Sequence, residues 1–254
     1  MKKDASQSGK TNEFRGKAKG KTGTGSKEQG ARSREQGAGS KNPFSLPASL
    51  VEGDTMDRRQ RPALLIIDMV KDNFDEGKNL PITPFARRIV GPINNLIGVF
   101  RKERWPVVFS TDAFRNEDFI FTGRMKPHSL AGTEGAEVVE HLDRRPEDLW
   151  LPKPRFSAFF GTDLAQRLKK DKVTLCAVAG IATNFCVLTT VMDAICYDFQ
   201  AVLLEDCSAS WSEEIHGQTV NIYRRNPLYP LLRVCSSTEL AADQGAGVPE
   251  QRRA

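Results

Sequence analysis

The chain has 254 residues, 39% of them hydrophobic, and a formal net charge of +5, enough apolar material for one sizeable core or two small ones. No run of 18 apolar residues occurs, which excludes a transmembrane helix. Five cysteines without a CxxC spacing, with only three histidines, argue against a disulfide framework or a Cys/His zinc finger and suit a reducing compartment.

The basic balance is local. Residues 1–50 carry eleven Lys and Arg against four acids, a surplus of seven against +5 overall, so the remainder is net acidic by two. This stretch is rich in Gly, Ser and Gln and nearly free of large apolar side chains, so it buries too little surface to offset its ordering entropy. Residues 1–55 are therefore expected to form a disordered basic tail. Two copies, 26–31 and 33–38, repeat after seven residues, but a glycine in each and the lack of apolar a and d positions rule out a coiled coil. Any nucleic-acid contact is expected only through this tail. The N-terminus has no apolar signal segment, so a cytoplasmic protein without a membrane partner is expected, with organellar targeting by the extension left open.

From about residue 60 strands and helices alternate. "ALLIIDMV" (63–70) is a continuous apolar run, the mark of a strand buried on both faces. Ile89, Val90, Ile93, Leu96, Ile97 and Phe100 fall at helical spacing within 85–105, and 106–112 returns to strand. A strand is predicted at 147–153, a helix at 162–170, a strand at 172–180, a helix at 184–199, a strand at 201–207, a helical stretch at 216–225 and a last strand at 231–237. Such alternation predicts a three-layer α/β/α sandwich with a mostly parallel central sheet over residues 56–240, followed by a flexible C-terminal tail, 241–254. In such sheets ligands bind outside the carboxyl ends of the strands. Asp68, Asp112, Lys153, the 180–186 turn and Asp206 all fall at those ends.

At that turn Gly180 lets the chain leave the strand tightly, and Thr183 or Asn184 can cap the helix that follows. Cys186 would then stand over the positive end of the helix dipole, where its thiolate is stabilised and its pKa lowered. The free amides of the same turn can donate to an oxyanion. Of the other four cysteines, 176, 196 and 235 read as small apolar residues. A cysteine nucleophile needs a group to take its proton and return it to a leaving amine. No histidine sits at a strand end, which leaves Asp68 and Lys153.

"LLIIDMVKDNF", "HSLAGTEGAEVV", "KPRFSAFFGTDL" and "AGIATNFCVLTTVMDA" occur in this order, and together they resemble the isochorismatase-like cysteine hydrolases, a group that includes nicotinamidases, N-carbamoylsarcosine and ureidoacrylate amidohydrolases, and isochorismatase. The resemblance runs from about residue 61 to 240. It implies a catalytic triad of Asp68, Lys153 and Cys186, a cis peptide between Ile181 and Ala182, and an oxyanion hole made by the amides of Ala182 and Cys186. It further implies that Cys186 adds to the carbonyl of a small amide or ureide and forms a thioester acyl-enzyme, and that the protein assembles as a homo-oligomer, a dimer or a tetramer. A vinyl ether hydrolase that uses the acid rather than the thiol, and a non-catalytic scaffold with a basic tail, stay as alternatives.

Nicotinamidases of this group bind a metal through an Asp-x-His pair at the end of the second strand and a later His. Here the pair reads Asp112-Ala113-Phe114, and only His128 matches the later position. One His and one Asp fall short of the three or four protein ligands zinc takes, so neither metal nor cofactor is expected, and His128 should order its loop. Phe74, Phe114, Phe119, Phe121 and Phe159 are expected to wall the pocket, Ser157 to contact substrate, and His216 to be a solvated helix residue.

Overall fold

A computed structural model describes residues 60–245. The predicted tail at 1–55 and the end of the C-terminal one, 246–254, lie outside the described residues. Six strands form one sheet: β1 (Pro62–Ile67), β2 (Val107–Asp112), β3 (Leu149–Lys153), β4 (Leu175–Ile181), β5 (Gln200–Ala209) and β6 (Leu232–Cys235). Their order is β3-β2-β1-β4-β5-β6, and every neighbouring pair is parallel. The helices are α1 (Thr83–Lys102), α2 (Leu164–Lys170), α3 (Leu188–Cys196), α4 (Glu213–Arg224) and α5 (Ser237–Asp243). No helix among the described residues is long and apolar enough to cross a membrane.

The continuous apolar run of β1 has a simple cause. Leu64 and Ile66 pack with Ala86, Ile89, Ile93, Ile97 and Phe100 of α1 and with Leu240 of α5. Ala63, Leu65 and Ile67 point the other way, toward Leu164 and Leu168 of α2, Val191 and Ala194 of α3, and Val220 of α4. Both faces of the strand are covered, so alternation of polar and apolar residues would leave polar groups in a dry layer. The result is a three-layer α/β/α sandwich.

Chain direction fixes where a site can form. After β1 the chain crosses to α1 on one face, and after β4 it crosses to α3 on the other, so a crevice opens between the carboxyl ends of these two neighbouring strands. Gly180 sits at that junction with φ +109, and a Cβ there would overlap the Ile67 carbonyl of the neighbouring strand. Only glycine allows β1 and β4 to pair this closely.

The structure moves several predicted boundaries. β1 stops at Ile67, and Asp68 turns away with φ +54. The predicted 184–199 helix is a π-helical turn, Thr183–Val187, followed by α3. The predicted C-terminal tail at 241 begins inside α5, a helix closed by a capping box between Ser236 and Glu239, the pattern that satisfies amides at a helix start.

Candidate functional site

Four side chains meet at the floor of the crevice. Asp68, directly after β1, receives the backbone N–H of Asp112 on Oδ1 at 2.8 Å and the Lys153 ammonium on Oδ2 at 2.9 Å. Its carbonyl oxygen accepts from the Val70 amide and from the Asn73 side chain at 3.0 Å. Bonds on both ends hold a left-handed conformation that aspartate tolerates better than most residues. Lys153 ends β3 with no exposed surface, and its ammonium also pairs with the Asp112 carboxylate. The thiol of Cys186 completes the group, its sulfur and one oxygen of each carboxylate lying within 4.8 Å of one another.

The electrostatics correct one expectation from the sequence. The thiol is not activated at rest: burial pushes Cys186 well above its ordinary value, the Asp68 carboxylate adds to the push, and the Lys153 ammonium opposes it. Burial would lower Lys153, but Asp68, Cys186 and Asp112 hold it above its ordinary value. Asp112 is pushed up to about 7, first by burial and then by the Asp68 charge, against the pull of Lys153. A helix terminus is worth about 0.3–1 kcal/mol to a nearby anion, whereas desolvating a buried ion costs several kcal/mol. Burial wins, so the resting state is a thiol facing a carboxylate.

Cys186 also does not stand on the first turn of an α-helix. It belongs to the π-helical turn, whose cap residue Ala182 makes no side-chain capping bond. Thr183 and Asn184 do not cap it either. The Thr183 hydroxyl lies 2.8 Å from His216 Nδ1, and Asn184 Oδ1 accepts the Ser210 hydroxyl at 2.7 Å. His216 is therefore half-buried and engaged rather than a solvated helix residue, with burial lowering its pKa. The peptide bond between Ile181 and Ala182 is cis.

A cleft of about 320 Å³ opens above Cys186, lined by Asp68, Asp112, Ile181 and Ala182 at its floor and by Asn73, Ile82, Phe114, Met125, His128, Phe156, Phe185 and Trp211 around it. Of Phe74, Phe114, Phe119, Phe121, Ser157 and Phe159, Phe114 alone is among the residues that line the cleft. Phe74 faces the α1 layer and stacks on His141, and Phe159 stacks on Tyr197 and Phe199 in the opposite layer. Ser157 is buried and its hydroxyl accepts the Phe159 amide at 3.1 Å. Phe119 points into solvent at 80% exposure, while Phe121 packs edge-on against Phe114 and His128. Asp206 lies away from the cleft, its carboxylate accepting the amide and hydroxyl of Ser237. The sequence reading missed Phe156, Phe185 and Trp211. Phe185 lies 5.9 Å from Phe156 and 5.7 Å from Trp211, ring centre to ring centre, so the three form one aromatic wall. Adjacency to Cys186 was the available signal for Phe185; nothing local marks Trp211.

A larger groove of about 480 Å³ lies at the amino ends of β2 and β3. Charged residues make up much of its lining, with Arg101 paired to Asp148 at 2.6 Å, and among the described residues that line it there is no Cys, Ser or His. Chemistry belongs to the crevice with the thiol.

A cysteine facing a carboxylate and an ammonium, buried at the switch point of an all-parallel sheet, defines an α/β protein with a polar, thiol-bearing centre in its sheet mouth. The chain belongs to the isochorismatase family, whose isochorismatase domain matches residues 62–231. A probable inactive nicotinamidase of Arabidopsis thaliana is 32% identical over 178 residues, 65% of this chain and 88% of that one. Among solved structures, N-carbamoylsarcosine amidase from Thermoplasma acidophilum superposes with a TM-score of 0.60 at 29% identity, covering 70% of this chain and 97% of that one. Pyrazinamidase of Pyrococcus horikoshii, described in complex with zinc, gives 0.60 at 26% identity over 69% and 99% of the two chains.

The residues of this chain do not fit such a metal. At the position of the Asp-x-His histidine stands Phe114, 1% exposed and packed edge-on against His128. His128, whose Nδ1 donates to the Lys126 carbonyl at 2.8 Å, could offer Nε2 as one ligand, but Asp112 is committed to Lys153, which leaves too few ligands for zinc. The other group of donors, Asp68, Asp112 and Cys186, already encloses a cation, the Lys153 ammonium, whose charge opposes a second one.

Proposed function

We propose that this protein hydrolyses the C–N bond of a small amide or ureide with Cys186 as nucleophile. The observation that carries the reading is the contact of the buried Lys153 with Asp68, 2.9 Å long, beside a buried thiol at the floor of an apolar cleft. The names of the similar solved structures, an amidase acting on N-carbamoylsarcosine and a pyrazinamidase, point to the same bond class.

The thiol proton passes to Asp68 as sulfur adds to the substrate carbonyl, forming the C–S bond and an oxyanion. Asp68 is the base in reach, which suits a thiol that is neutral at rest and ionises only as it attacks. The amides of Ala182 and Cys186 receive the oxyanion, and Lys153 balances the negative charge on Asp68. Collapse breaks the C–N bond, and Asp68 returns the proton to the leaving nitrogen. Water, losing its proton to Asp68, then attacks the thioester; a carboxylic or carbamic acid leaves and the thiol is restored. The apolar wall of Phe156, Phe185 and Trp211 suits a small, flat substrate.

The test is ammonia release from nicotinamide, ureidoacrylate, N-carbamoylsarcosine and biuret by the full chain and by Cys186→Ala. Turnover of one of these that vanishes in the variant supports the reading. Turnover that persists in Cys186→Ala overturns the thioester route, and no turnover of any of them would favour a non-catalytic protein.

A further inference from the structure

Three consecutive residues of the cysteine turn are gripped by one distant segment. Thr183 meets His216 at 2.8 Å, Asn184 accepts from Ser210 at 2.7 Å, and the Phe185 ring packs on Trp211 at 5.7 Å. All three partners come from the connection after β5 or the first turn of α4. That segment is itself anchored, because Ser212 caps α4 by accepting the Ile215 amide. Thr183 is fully buried, so its hydroxyl has no water to fall back on if His216 is lost. Beside His216, on the α1 side, lies an open pocket of about 190 Å³ lined in part by Ser208, Ser210, Ser212 and His216. The buried hydroxyl of Ser208 there has no hydrogen-bond partner. The His216 end of the latch thus borders open space rather than packed side chains, and a directed bond must fix the ring where packing does not.

We propose that His216, acting through the Thr183 hydroxyl, is a positioning residue that holds the Cys186 sulfur against Asp68. This rests on the reading of Cys186 as nucleophile and adds to it a residue outside the cleft. When the latch is absent, the buried Thr183 hydroxyl loses its partner and the turn shifts to satisfy it, so the sulfur leaves Asp68 and becomes better solvated. Two consequences follow in opposite directions: turnover falls, because misplacement by a fraction of an ångström to an ångström removes the proton transfer geometry, and the resting thiol becomes more reactive to a small alkylating agent, because solvation lowers its pKa toward the free value.

The experiment compares Thr183→Val, Thr183→Ser, His216→Gln and His216→Asn in the full chain. Asparagine can present a hydrogen-bonding atom near the place of Nδ1; glutamine, of similar polarity, carries its amide one bond too far. Iodoacetamide modification is followed at the Cys186 peptide by mass spectrometry from pH 6 to 10, alongside turnover of the best substrate. Thr183→Val and His216→Gln should lose about 10- to 100-fold in kcat with KM changed by less than about threefold, and should alkylate about tenfold faster at pH 7. Thr183→Ser and His216→Asn should restore both readouts to within about threefold. Equal behaviour of the Asn and Gln variants, or unchanged alkylation in a folded Thr183→Val, overturns the latch. Should Thr183→Val fail to fold, the Asn/Gln contrast decides alone. The alkylation readout needs no substrate, so a protein that hydrolyses none of the amides would refute the proposed function while this test still gave its answer.

Discussion

Asp112 and Lys153 face each other in the last rung of the β2–β3 ladder, and they meet a second time through their side chains, where the ammonium also reaches Asp68. One cation thereby holds two buried carboxylates beside a buried thiol. Removing it leaves two like charges in a dry site, and breaking such a pair from one side costs about 3–5 kcal/mol. Lys153→Met should therefore lose both stability of that order, read as a lower urea midpoint, and turnover by at least about a thousandfold.

The same cluster sets a pH dependence through Asp112, which is pushed up to about 7. A carboxyl raised on folding binds its proton more tightly in the native state than in the unfolded chain, where it titrates near 3.9. Its contribution to stability is complete below about pH 4 and is lost as the pH rises through 7. Urea unfolding should thus show a protein that is less stable at pH 8 than at pH 5.5 by about 2 kcal/mol from this group. Asp112→Asn should remove most of that difference.

Chelation offers a separate check on the environment of Phe114. A ring fills the place of the missing ligand, and Lys153 supplies the local positive charge, so prolonged dialysis against EDTA should leave turnover within about twofold, since zinc retention needs three or four ligands this chain lacks. Loss of activity that added zinc or iron restores would contradict this.

The sheet and the four polar side chains at its mouth were legible because they rest on strong, local signals. Buried parallel strands read as unbroken apolar runs, and an Asp or Lys that ends such a run falls at the carboxyl edge of the sheet wherever the strand lies in the order. The walls were not legible in the same way. Phe156 and Phe159 lie three apart in an irregular loop without a period, and only tertiary contacts send one into the cleft and the other onto Tyr197 and Phe199. Trp211 and His216 come from a segment more than 20 residues beyond Cys186. The thiol's resting state is hidden for a different reason: the dipole at the turn is a local feature of the sequence, whereas the opposing desolvation depends on how closely the tertiary fold closes over the sulfur.

Gly180 carries a prediction about the scaffold. Its φ of +109 and the Ile67 carbonyl where a Cβ would go leave no room for any side chain between β1 and β4. Gly180→Ala should destabilise the fold by about 2–4 kcal/mol, more than the usual cost of a glycine replacement, because backbone rather than a flexible side chain must yield. A thermal scan beside the wild type measures it. Gly91, with open space around it, should accept alanine within α1 and gain up to about 1 kcal/mol.

The placement of the aromatic residues separates binding from folding. Trp211 is 38% exposed on the cleft wall and packs at a tilt against Phe185, whereas Phe159 is 2% exposed and lies in the α2–α3 layer. Truncating a wall residue removes contact that the ground state and the transition state share. Losing about 1.4 kcal/mol of such uniform binding raises KM about tenfold and leaves kcat nearly unchanged. Trp211→Ala should behave in this way, with a small change in stability. Phe159→Ala instead opens a cavity in the core and should cost about 3–5 kcal/mol of stability, while KM of the fraction that stays folded changes little. The two variants therefore part on two measurements, a denaturant midpoint and a KM. A Phe159→Ala protein of normal stability with a tenfold higher KM would return that ring to the cleft, and an unchanged KM in Trp211→Ala would remove Trp211 from the recognition surface.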